Sequence, residues 1–136
     1  MNRILILPML LATAPAWADT PLRSLVYYSA EAKRSQPGFV ADSERGRSFV
    51  TREWGASQSL SSCATCHGDQ PANGGRHALT GEPIPALSPM LTPHRFSNPA
   101  RVEKRFRRDC NEVLGRMCTA EEKADFIKFV MADPSS

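Results

Sequence analysis

Two thiols and an imidazole fall within five residues, Cys63-Ala64-Thr65-Cys66-His67. Three chemistries use such a group. A thioredoxin-like redox pair reads C-x-x-C, but it needs a βαβ context that this chain lacks. A structural zinc site needs four ligands, usually two such pairs. The remaining cysteines, Cys110 and Cys118, are eight apart and make a poor second pair. The third chemistry is covalent haem attachment, for which C-x-x-C-H is the attachment sequence. Each thiol adds to one porphyrin vinyl as a thioether, and two intervening residues let both sulfurs reach adjacent vinyls. The following histidine then supplies an imidazole nitrogen to the iron. The reading is one covalently bound haem c, attached by Cys63 and Cys66 and ligated by His67. A plain Cys63–Cys66 disulfide would leave His67 without a role.

An iron-ligating imidazole normally donates its other N–H to a carbonyl. The carbonyls of Pro83 and Pro85 are the candidates, and the sequence does not choose between them. The opposite axial position decides function. Methionine there would make an electron carrier of raised potential, and Met90, Met117 and Met131 are available. Each is equally a core filler. His77 or His94 would give bis-histidine ligation, and a weakly held position would admit gas molecules. No general acid or base is identifiable; His94 is a candidate only by its place in the loop.

These residues need a scaffold. Thr20-Pro21 reads as the cap and first position of a helix, with Leu22, Leu25, Val26 and Ser29 at helical spacing. Gln36-Pro37-Gly38 ends it. Asp42 or Ser43 caps a second helix that turns Gly46, Phe49 and Val50 to one side and stops before Gly55. Between Gly68 and Pro99, six prolines (71, 83, 85, 89, 93 and 99) forbid a long helix. A loop of that length usually wraps a ligand or carries function. Asn98-Pro99 begins another helix. Val102, Phe106 and Cys110 form its buried stripe, and Arg101, Lys104, Arg105, Arg107 and Arg108 cover the remainder. That cationic surface is a solvated face or a docking patch for an acidic redox partner or haem propionates. Thr119-Ala120-Glu121-Glu122 is a capping box for a last helix running to about Met131. No segment alternates at period two. The expected fold is all-α, with one long Pro/Gly-rich loop and no sheet.

The chain has 136 residues, enough for one domain. Its N-terminus reads as an export signal. Arg3 supplies the positive start, Ile4 to Ala12 the apolar run, and Ala16-Trp17-Ala18 the cleavage pattern. The run falls short of the ~20 residues that span a membrane. The expected division is a signal peptide at 1–18 and a cytochrome c domain at 19–136. Export implies a periplasmic, oxidising location and no membrane span after cleavage. A formal charge of +3, with no long basic tract, gives no case for nucleic acid. A domain this small buries a limited core, so a haem would form part of it.

The second half carries a more specific pattern. Thr92-Pro93-His94-Arg95-Phe96 leads to Ala100-Arg101-Val102-Glu103-Lys104, then Cys110-Asn111, Val113-Leu114-Gly115-Arg116, Cys118-Thr119 and Glu122-Lys123-Ala124-Asp125. With Glu44-Arg45-Gly46-Arg47, Cys63 to Gly68 and Thr80-Gly81, the chain resembles the sphaeroides haem protein (SHP) family of monohaem cytochromes c. The resemblance runs from about Ala41 to Ala132, and Cys-Asn-x-x-x-Gly-Arg-x-Cys is its specific part. It implies a class I cytochrome c-like fold, a Cys110–Cys118 disulfide, and Asn111 as a displaceable iron ligand. It also implies that reduction releases the asparagine, so that oxygen, nitric oxide and similar small ligands bind. An amide oxygen is a hard donor that suits ferric iron better than ferrous. The family is similar in pairing with a dihaem cytochrome c donor, and a nitric oxide dioxygenase role has been suggested for it. Read without the resemblance, Asn111 is an ordinary residue of a helix C-terminus. Met117, directly before Cys118, would make the chain a conventional electron carrier with His/Met ligation.

Overall fold

The computed structural model describes residues 20–132. The export-signal reading at 1–18 and the boundary at Asp19 lie outside these residues. In chain order the elements are α1 (Leu22–Ser35), α2 (Ser43–Thr51), α3 (Ala64–His67), β1 (Gly75–Arg76), β2 (Pro83–Ile84), α4 (Pro99–Leu114) and α5 (Ala120–Met131).

Local chemistry sets most of these ends. Asp42 accepts the Arg45 amide to start α2, and Asn98 accepts the Arg101 amide to start α4, with Pro99 in its first turn. Gly115 closes α4 in the left-handed conformation at φ 69°. Thr119 and Glu122 form the reciprocal capping box of α5. At the start of α1 the expected Thr20 side-chain cap is not made. Pro21 is already helical and occupies the cap position without a side-chain bond.

α5 packs across α1 and α2 and is buried along nearly its whole length. Phe126 is its hub, with edge contacts to Phe106 at 5.4 Å, Phe96 at 5.9 Å and Phe49 at 6.5 Å between ring centroids. The α4 stripe is the expected one, Val102, Phe106 and Cys110, extended by Leu114. The α1 stripe is not. Ser24, Tyr28 and Ala32 are its buried residues, while Leu22 and Val26 stay 47% and 58% exposed. Small residues let α1 lie close to α5, and Tyr28 packs edge-on against Phe106 at 5.8 Å.

The proline-rich loop holds a short sheet that sequence patterning did not anticipate. β1 and β2 pair antiparallel, Gly75 with Ile84 and Arg76 with Pro83. Two residues per strand are too few for an alternation to show. Among the described residues no helix is long and apolar enough to cross a membrane.

Candidate functional site

The five-residue motif folds as one tight helical turn. The amides of Cys66 and His67 both point to the Cys63 carbonyl, at 3.3 and 3.1 Å, and Gly68 bonds Ala64 at 2.8 Å before leaving at φ 68°. Ser62 and Thr65 brace the entry reciprocally. Each backbone amide donates to the other's hydroxyl at 3.2 Å. Trp54 anchors the lead-in by donating its amide to the Ser61 carbonyl at 2.8 Å.

β1 backs onto this turn. Gly75 lies against the Cys66 carbonyl and the His67 Cα so closely that no side chain fits there. The Ala78 amide donates to the Cys66 sulfur at 3.3 Å. The loop therefore does wrap the motif.

Cys63 and Cys66 are both free thiols, half-buried, as is His67. Burial pushes the Cys63 thiol up to about 12, and the Asp109 carboxylate adds to the effect. Reactive redox or zinc-binding thiols are shifted the other way. Burial lowers the His67 imidazole, assisted by the nearby cations Arg95 and Arg105 and opposed by Asp109. A neutral imidazole is the form that ligates metal. Among the described residues no three His, Cys, Asp or Glu side chains gather into a metal-binding group.

The other candidates are dispersed. His77 spends its Nδ1 accepting the amides of Leu79 and Thr80 at 3.3 and 3.2 Å, which holds a turn. His94 is exposed. Met90 and Met117 are 65% and 43% exposed, and Met131 packs against the core on α5. Of the two proline carbonyls considered for His67, that of Pro85 receives Nη2 of Arg95 at 3.2 Å.

Cys110 and Cys118 are joined by a disulfide, with Cα atoms 5.7 Å apart. It ties the last turn of α4 to the start of α5. Asn111 sits beside it and is exposed. At about 100° per residue, Asn111 and Asp109 project from α4 about 160° apart, on opposite flanks of the core stripe. Asp109 shares its flank with Arg105 and Val113. Asp109 is half-buried, and Val113 packs against the core. The charges of Arg105 and Asp109 are felt at His67, and that of Asp109 also at Cys63. The motif thus faces the Asp109 flank. Sequence reading passed over Asp109, although the stripe it had identified already separates the two flanks.

Arg95 has a further feature. Its Nε is buried with no hydrogen-bond partner. Two free half-buried thiols, an adjacent neutral imidazole, a wrapping loop and a half-buried cation with one unsatisfied donor together fit a c-type haem. Such a group would offer vinyls to the sulfurs, iron to the imidazole and carboxylates to the cation.

A family model described as a domain of unknown function (DUF1924) matches residues 37–130. The chain is 42% identical over 134 residues to cytochrome c-type protein SHP of Cereibacter sphaeroides, covering 97% of this chain and 99% of the relative. It is 37% identical over 127 residues to cytochrome c'' of Methylophilus methylotrophus, covering 90% and 88%. Among solved structures it is similar to oxidised SHP, an oxygen-binding cytochrome c, with a TM-score of 0.72 and 40% identity over 82% of this chain and 95% of that one. Oxidised cytochrome c'' from M. methylotrophus gives a TM-score of 0.75 and 32% identity over 83% and 94%. The solution structure of the same cytochrome, which bears on haem-ligand detachment, gives 0.71 and 30% over 84% and 94%.

Proposed function

The chain belongs to the DUF1924 family and to the SHP-type cytochromes c, and from that premise we propose that it is an exported, periplasmic monohaem cytochrome that takes up a small diatomic gas when reduced. The observation that carries the reading is the turn Cys63–His67 facing the α4 flank that bears Asp109, a hard oxygen donor. A bound haem c would supply a redox-active iron. Cys63 and Cys66 would hold it covalently and His67 would ligate its iron.

The disulfide-clamped end of α4 would offer the iron a second ligand. The resemblance nominates Asn111. What supports Asp109 instead is its flank, its partial burial and its charge at His67. Either is a hard oxygen donor that would hold ferric iron better than ferrous, so reduction would weaken its hold. The Cys110–Cys118 link limits where the released side chain can go. Oxygen, nitric oxide and similar gases are then cargo, and a partner such as a dihaem cytochrome c supplies the electron. The exposed cations of α4 offer that partner a docking face.

Absorption spectra of oxidised, reduced and carbon monoxide-treated reduced protein test the reading. The wild type should change its spectrum with carbon monoxide only when reduced. Asp109→Ala should alter the ferric spectrum and Asn111→Ala should leave it intact. The reverse result assigns the position to Asn111. A ferric sulfur-to-iron band with no carbon monoxide response makes the protein a His/Met electron carrier.

A further inference from the structure

Arg95 is held in place by features that its own packing does not explain. The next residue, Phe96, has φ 60°, a left-handed conformation that a bulky side chain rarely adopts. Such a conformation is strained and persists where its surroundings over-determine it. Here the turn sends Phe96 into the core against Phe126 at 5.9 Å. It is fixed by the Arg95 amide on the Thr92 carbonyl at 3.0 Å and the Ser97 hydroxyl on the His94 carbonyl at 2.9 Å.

The guanidinium itself is poorly satisfied. Nη2 bonds the Pro85 carbonyl at 3.2 Å, and Nε is buried without a partner. No carboxylate pairs with it among the described residues, and the charge it feels is that of another cation, Arg105. A buried unpaired donor is costly, and more so when charged. Pro85 directly follows β2, which pairs with β1, and β1 lies on Cys66 and His67. Arg95 therefore stands at the rim of the attachment turn, with an unused fork of donors.

We propose that Arg95 binds a haem propionate, its Nε–H and one N–H of Nη2 gripping the carboxylate while the other N–H of Nη2 keeps the Pro85 carbonyl. The assignment rests on the haem reading above, since the haem is the group that brings carboxylates to this rim. A planar guanidinium matches a carboxylate bidentately, and a lysine ammonium does not. The pairing cancels one negative charge beside the iron. It should therefore hold the reduction potential above that of a protein lacking the cation.

The test uses holoprotein. Haem content per chain is counted first in the wild type; a wild type without haem sinks the underlying reading and not only this assignment. Arg95→Gln and Arg95→Lys are then compared with wild type in midpoint potential and in the infrared bands of haem labelled at its propionate carboxyls. Arg95→Gln should keep covalent haem, shift the potential negative and move one propionate band. Arg95→Lys should retain most of the potential but still move the band, because the fork is lost. Unchanged bands in both variants overturn the assignment. Should Arg95→Gln fail to accumulate, the Arg95→Lys band decides alone: moved, it supports the pairing; unmoved, it refutes it.

Discussion

Glu103 shows how a single side chain can join three helices. Its Oε2 accepts from the Tyr28 hydroxyl at 2.9 Å and from Lys123 Nζ at 2.8 Å, linking α4 to α1 and α5. Lys123 is buried, its ammonium lying 5.2 Å from the Tyr28 ring centroid and 5.9 Å from that of Phe106. Burial works to raise the Glu103 carboxyl, but the bonds from Lys123 and Tyr28 win and hold it below the ordinary range. Glu103→Gln would leave the ammonium buried without its counter-ion. Breaking a fully buried pair costs about 3–5 kcal/mol. Glu103 is one-third exposed at 32%, so a loss of about 2 kcal/mol is expected. The sign with pH follows from the depressed carboxyl. Its stabilisation is complete above the unfolded value of about 4.3 and fades as pH falls through the lower folded value. Urea denaturation should show the gap between wild type and Glu103→Gln at pH 7 and its shrinkage below about pH 4. A gap independent of pH would show that the charge on Glu103 is not what holds Lys123.

At the level of elements, Gly46 decides how closely α2 meets α5. A Cβ there would strike the Asp125 carbonyl and lie 2.7 Å from the Phe129 Cβ. Two effects oppose in Gly46→Ala. Helix propensity favours alanine by about 1 kcal/mol. Overpacking costs about 1–3 kcal/mol, and the obstacle is backbone, which cannot swing aside. The clash should win, lowering the urea midpoint with an unchanged slope; a rise would mean that the helices separate freely. Sequence patterning had turned Gly46, Phe49 and Val50 to one side, and α4 was legible too, because a cap, a proline and a regular apolar stripe agreed. α1 misled for a physical reason. Leu22 and Val26 make the more apolar face, but close packing selected Ser24, Tyr28 and Ala32, and Tyr28 could be buried because Glu103 receives its hydroxyl. The site divided in the same way. The attachment turn is local and could be read directly. Which flank of α4 faces it depends on how distant segments dock, so Asp109 and Arg95 emerged only from the structure.

The whole molecule is unevenly built. α1, α2 and α5 share an aromatic and aliphatic core with α4. Between residues 52 and 98, by contrast, regular structure amounts to the one-turn α3 and the two-residue β1 and β2, and Leu87 is the one buried apolar residue there. Regions with few buried apolar contacts open at low free energy, and a domain this small has little core to spare. The haem reading resolves the imbalance by giving that segment a large apolar surface to pack against. A Cys63→Ser, Cys66→Ser double variant, purified without haem, should then keep the helical circular dichroism of the α1–α2–α5 frame. Its amides in α5 should stay protected from hydrogen exchange while those from 68 to 97 exchange rapidly. The Cys110–Cys118 link, intact in this variant, should hold α4 to α5. Retained protection across 68 to 97 would mean that the loop orders itself and the haem is not part of the fold. Loss of protection in α5 as well would extend the opposite conclusion, making the cofactor a condition of the entire core.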